Sequence, residues 1–364
     1  MEFKSKFKLL AVLVIFIAAI LYFFPDSHHF VASYNRYFFR PYQSLRNILF
    51  GWIPFSLGDI LYVIAGGYLL FVVGRWFYYL IKFSLKKELL AMSLLNTVNT
   101  IVFCYLLFLL GWGGNYYRPS LNEYWHLEAD STVQADSSAA IAFDKFLITK
   151  LNTTAPHYHP LSFDEATIRA KAYYRIYTDC KTKKYGIGVK SSLYGFLMER
   201  MAVEGYYNPF TGEAQVNKNL PSYILPFVVC HEMAHQGGVA AEGDANLLAY
   251  TLSTMVDDTS FSYSGYLNIW LYTHGRVYRR DSAMANKLEK DLNPLTVAHI
   301  DTLEQIRKKY QGNMSRYSSE MYDSYLRLHS QAGGIKSYAN VVWGAWQIEQ
   351  RRKQKYNRKF INMP

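Results

Sequence analysis

The chain has 364 residues, enough for two or three structural units. Of these, 51% are hydrophobic and 17% aromatic, more than a purely soluble protein carries. The net charge of +11 is spread along the chain rather than gathered into a patch, which speaks against nucleic acid as a partner.

The densest basic cluster is the tail Arg351, Arg352, Lys353, Lys355, Arg358 and Lys359. It reads as a solvated end, or as a contact with anionic lipid headgroups. Three cysteines, Cys104, Cys180 and Cys230, make no disulfide framework and leave the compartment open.

In chain order, Leu9 to Pro25 is a run of 17 residues without a charge, preceded by Lys4, Lys6 and Lys8. Its length exceeds a usual signal-peptide core, and bulky Tyr22, Phe23 and Phe24 stand where a cleavage site needs small residues. The run therefore reads as an uncleaved span. Two further apolar runs cover 57–81, with Asp59 and Arg75 towards its ends, and 94–112, whose first turns hold Asn96, Asn99 and Thr100. The N-terminal lysines and Lys82, Lys86 and Lys87 of the second loop point both segments to the cytoplasm, while Arg36, Arg40 and Arg46 in the first loop pull the other way. Three crossings then carry everything after residue 115 out of the cytoplasm.

The composition changes from residue 120. Polar helical patterns cover 134–151 and 162–180, the second with Asp164 and Glu165 in its first turn, as a helix dipole favours. GYYNPFTGEAQVN (205–217) surrounds a short strand, Glu213, Ala214, Gln215, Val216 and Asn217, placed as the edge strand that holds an extended peptide. Pro221 and Pro226 mark the start of a helix, and nearly everything after residue 242 reads helical to about Gln350.

That helix carries His231, Glu232, Met233, Ala234 and His235, the pattern H-E-x-x-H. Residues four apart on a helix share one face, so the two imidazoles can chelate one zinc ion. Glu232, beside the first ligand, can act as general base on a water whose pKa zinc lowers. The pattern arises by chance in roughly one such chain in a hundred. The apolar approach Phe227 to Cys230 and the stop at Gly237 and Gly238 add context.

A third ligand is needed. The metzincin pattern demands histidine at 241, and the residue is Ala241. Glu242, Ala245, Asn246 and Ala249 follow at i, i+3, i+4, i+7 and share a small face that permits close helix packing. Glu242 is therefore the expected third ligand, with Asp244 in reserve, and Asn246 is placed to support a ligand histidine by hydrogen bonding. No oxyanion donor stands out among 32 tyrosines; Tyr325, Tyr338 and His274 lie in the right region and read as structural.

H-E-x-x-H followed by E-x-x-A-N resembles the gluzincin peptidases, including the membrane-bound CAAX-protease and heat-shock-protease group and the repressor-cleaving peptidases. More closely, IPFSLGDILY (53–62), NYYRP (115–119), YNPFTGEAQVN (207–217), HEMAHQ (231–236), EGDAN (242–246) and GGIKSYANVV (333–342) are similar to an uncharacterised family of bacterial three-helix membrane proteins, a domain of unknown function. The resemblance implies zinc peptidase chemistry and no particular substrate.

The expectation is a mainly α protein: a membrane domain, 1–115, with three spans at about 9–25, 57–81 and 94–112, followed by a zincin-like, predominantly helical α+β metallopeptidase domain, 116–364, with a small sheet. It is an integral protein of the bacterial inner membrane, with the second domain periplasmic and a peptide or protein as substrate. Two alternatives stand beside it. An inactive zinc-binding sensor or scaffold has no need of Glu232 between its ligands. A transporter is disfavoured by three spans almost free of buried charge.

Overall fold

The computed structural model describes residues 2–25, 28–127, 137–177, 187–328 and 339–354. Cys180, Tyr338, Lys355, Arg358, Lys359 and part of GGIKSYANVV lie outside these residues. The helices are α1 Glu2–Phe23, α2 His28–Ser33, then a π-helical stretch Tyr34–Phe39 running into α3 Arg40–Phe50, α4 Leu57–Ile81, α5 Phe83–Gly111 and α6 Leu121–Tyr124. A second group comprises α7 Ser137–Thr154, α8 Phe163–Tyr177, β1 Val189–Ser191, α9 Gly195–Met201, β2 Gly205–Asn208 and β3 Glu213–Val216. The last group comprises α10 Leu225–Gln236, α11 Glu242–Met255, α12 Thr259–Arg280, α13 Ser282–Glu289, α14 Pro294–Tyr310, α15 Asn313–Leu328 and α16 Ala339–Gln354. The described residues are mainly helical with one small sheet, as expected.

Among the described residues, three helices are long and apolar enough to cross a membrane: α1, α4 and the Lys86–Gly111 part of α5, with mean hydropathies of 2.3, 1.9 and 1.9. Two boundaries differ from the expected ones. The first helix begins at Glu2 and takes in the three lysines, which are good helix formers. The third begins well before residue 94, because its polar residues bond back along the helix rather than breaking it. Thr97 Oγ1 donates to Ser93 O (3.0 Å), Asn99 Nδ2 to Leu95 O (3.0 Å) and Thr100 Oγ1 to Asn96 O (2.9 Å).

The first loop packs against the chain beyond the third span. α3 turns Gln43 and Arg46 inward onto the β2–β3 hairpin. Gln43 Nε2 donates to Gly212 O (2.8 Å), and Arg46 donates to Pro209 O (2.5 Å), Tyr207 Oη (3.0 Å) and Gly111 O (3.4 Å). Arg46→Ala leaves these buried acceptors without their donor. It is expected to cost about 3 kcal/mol, read as a lowered thermal midpoint of the full chain in detergent; an unchanged midpoint would contradict this account.

The start of α4 is bolted to the sheet in the same way. Asp59 Oδ2 accepts from Leu193 N (2.6 Å) and Ser192 Oγ (3.1 Å), and Tyr206 Oη donates to Asp59 Oδ1. Glu213 accepts from Gly58 N (2.7 Å) and from Lys190 Nζ (2.5 Å). A Cβ on Gly58 would lie 2.7 Å from Asn208 Nδ2 and 2.8 Å from Gln215 Nε2, so only glycine admits this approach. The segments IPFSLGDILY and YNPFTGEAQVN are thus two halves of one contact. They set the first loop and the chain after α5 at the same end of the spans, as three crossings require.

The sheet has the order β1-β3-β2, β1 parallel and β2 antiparallel to β3. This corrects the reading of Glu213, Ala214, Gln215, Val216 and Asn217 as an edge strand. β3 is the central strand, paired on both sides and buried, and Asn217 N is used by Glu204 O (2.9 Å). Beneath the sheet lies the helical core, with α10 packed among α8, α11 and α12, and α7 and α16 completing the layer around α12.

Candidate metal centre

Almost every side chain of α10 is buried, from Leu225 to Gln236, with His231 partly so. Pro226 in the first turn has no N–H to lose, and Ser264 Oγ accepts from Phe227 N (3.1 Å). Tyr174 Oη donates to Cys230 O (2.6 Å), fixing the turn before the first histidine. The helix stops at Gln236, and Gly238 takes a φ of +92° that releases the chain towards α11.

His231 Nε2 and His235 Nε2 face each other at 3.1 Å. Glu242, the first residue of α11, closes the triangle: its Oε2 lies 3.1 Å from His231 Nε2 and its Oε1 3.3 Å from His235 Nε2. These are the only three His, Cys, Asp or Glu side chains among the described residues that gather as metal ligands. Bonds of about 2.0–2.1 Å in a tetrahedral zinc site put ligand atoms about 3.3 Å apart, so the trio fits such an ion. His235 Nδ1 lies 2.7 Å from Val239 O, the kind of partner that holds a ligand ring with its other nitrogen towards the metal.

The charges are matched to one another. Burial lowers His231. In His235 burial acts the same way, but the Glu242 carboxylate outweighs it and pushes the ring up to about 9. Burial alone would raise Glu242; the two histidines hold it well below the usual carboxylate range. Tyr322 of α15 donates to Glu242 Oε1.

Glu232 stands beside this trio and makes no bond through Oε2, a buried atom without a partner. Burial pushes its carboxyl up to about 8, with Glu242 and Glu204 adding to the shift and His235 opposing it. Gly205, at the start of β2, lies directly against it: a Cβ there would sit 2.5 Å from Glu232 Oε1 and 2.7 Å from its Cδ.

The structure brings together His231, His235, Glu242 and Glu232 and leaves Asp244 out. Asp244 accepts from the Leu121 backbone near Arg118, and burial raises it to about 6. Asn246 neighbours His231, and its side chain helps to hold up a ring that burial lowers. His274 is engaged elsewhere, its Nδ1 2.9 Å from Asp144 Oδ2 and its ring stacked on Trp270 at 4.4 Å. Tyr325 accepts from Tyr116 Oη at 3.1 Å and stacks on Tyr322.

Three neighbours of the site carry no sequence signal of their own. Tyr322 is one tyrosine among 32. Gly205 acts through its missing side chain. Trp112, the residue after the third span, packs its ring on Tyr207 (4.3 Å) and stands edge-on to His235 (6.1 Å). The last contact sets the cluster at the mouth of the spans.

The chain belongs to the family described as "Protein of unknown function (DUF3810)", whose model matches residues 34–343 and so takes in most of the first loop, two of the three spans and the whole His–Glu cluster. Comparison with curated proteins gives no match, and comparison with solved structures gives none either.

Proposed function

We propose that this protein is a membrane-anchored, zinc-dependent metallopeptidase. The observation that carries the reading is the buried, partnerless Oε2 of Glu232 beside three convergent ligand atoms. A buried carboxyl oxygen without a partner is costly, and neither packing nor a purely structural metal site requires one there. That cost also weighs against the inactive sensor or scaffold.

His231, His235 and Glu242 would hold the ion, which when bound supplies a Lewis acid that polarises a carbonyl and acidifies water. Tyr322 and the Val239 carbonyl orient two of these ligands. Glu232 takes a proton from the attacking water at its free Oε2 and returns it to the leaving amine. With β3 buried at the centre of the sheet, the peptide-holding edge passes to β2, whose Gly205 touches Glu232.

The test is elemental analysis and peptide hydrolysis by the full chain in detergent. One zinc per chain and cleavage lost on chelation are expected; a protein purified without stoichiometric zinc would sink the proposal. Gly205→Ala drives a methyl group into the Glu232 carboxyl and is expected to lower cleavage about a hundredfold while zinc stays bound. Unchanged turnover in that variant would separate β2 from the site.

On this reading the site faces away from the cytoplasm. Lys4, Lys6, Lys8, Lys82, Lys86 and Lys87 lie towards the other end of the spans. Arg46, which opposed that orientation, is buried as part of the fold. A periplasm-dependent reporter fused after Tyr117 is expected to be active; activity of a cytoplasm-dependent one would reverse the orientation.

A further inference from the structure

α3 is inside out. Its inward face is polar, with Gln43 and Arg46 only 3% and 2% exposed. Its outward face is apolar: Leu45 is 50% exposed, Ile48 65%, Leu49 49%, and Trp52 just beyond it 78%. A helix on a water-facing surface has the reverse arrangement. The preceding π-helical stretch buries Tyr34, Asn35 and Phe39 and leaves Tyr37 and Phe38 outside, extending the same face.

Depth is set by the third span. Arg46 reaches Gly111 O, the last residue of α5, and a Cβ on Gly111 would lie 3.2 Å from Tyr42 Cε1. α3 therefore lies against the end of α5, in the connection between the end of α1 and the start of α4. Its apolar face continues the outward surfaces of those spans, where Tyr22, Phe23, Phe55, Ile60 and Leu61 are also exposed. Aromatic and aliphatic side chains at that level match the headgroup boundary of a bilayer.

We propose that α3 is a fourth membrane element, lying flat in the bilayer surface with Leu45, Ile48, Leu49 and Trp52 in lipid. Through Gln43 and Arg46 it holds the hairpin that carries β2, so the His–Glu cluster is kept at the membrane surface. The proposal rests on the spans and not on the peptidase reading.

The full chain with p-benzoylphenylalanine in place of Ile48, and a second variant with it in place of Leu45, are placed in vesicles of phosphatidylethanolamine and phosphatidylglycerol and irradiated. A control carries the probe in place of Lys145, exposed on α7. Lipid adducts at 48 and 45, by mass spectrometry, are expected about tenfold or more above those at 145. Adducts no more frequent than at 145, or a cross-link joining two chains through this face, would overturn the proposal.

Discussion

Replacing Glu232 with glutamine is expected to lower peptide hydrolysis about a thousandfold or more, while one zinc per chain is retained. The magnitude is that of removing a positioned general base. Glutamine keeps the shape of the side chain but cannot take up the proton. The loss is not expected to come from unfolding, because glutamine is as uncharged as the protonated carboxyl that burial favours there. The sign of the pH dependence follows from the same burial. In the zinc-free chain Glu232 is raised from 4.5 to about 8, so its contribution to stability is complete below about pH 4.5 and is lost as pH rises through about 8. Zinc-free parent and variant should therefore diverge over that window, the parent becoming the less stable on the alkaline side. Hydrolysis by Glu232→Gln at the parent's rate would refute the peptidase reading and leave the metal site standing.

Much of this arrangement could be read along the chain because it is carried by local period. His231 and His235 share a helical face at any position in any fold. Glu242 followed because Ala245 and Ala249 leave its face small enough to approach α10, and both are buried. The spans were visible in hydropathy, although side chains that bond back to their own helix, such as Thr97 and Asn99, blurred where the third begins.

What was not legible depends on partners distant in sequence. Nothing in Glu213 to Val216 tells a central strand from an edge, since that depends on β1 arriving in parallel from the other side. α3 has an amphipathic period, but the period does not say which face is inward. Only the acceptors at Pro209, Gly111 and Gly212 do. Trp112 reached His235 through the fold alone.

The metal site itself is tested most sharply at Glu242. Glu242→Gln is expected to weaken zinc binding about a hundredfold or more, because losing one protein ligand removes roughly a quarter of the ~12 kcal/mol that such a site contributes. Two further effects give the loss a signature that general destabilisation lacks. In the metal-free trio His235 is held protonated, up to about 9, by the charge of Glu242, against the pull of burial. Zinc binding to the parent near neutral pH must therefore expel a proton, and zinc affinity should rise with pH towards that value. Without the carboxylate, burial meets less opposition at His235, from Glu232 and the Val239 carbonyl alone, so the variant should release fewer protons and show a flatter pH dependence. Calorimetry in buffers of different ionisation enthalpy counts those protons directly. Asp244→Asn is the matched control: its carboxyl faces Arg118 and Leu121, and neither zinc affinity nor proton release should change. Equal zinc affinity in Glu242→Gln and the parent would remove the third ligand, and with it the case that α10 and α11 were brought together to hold a metal.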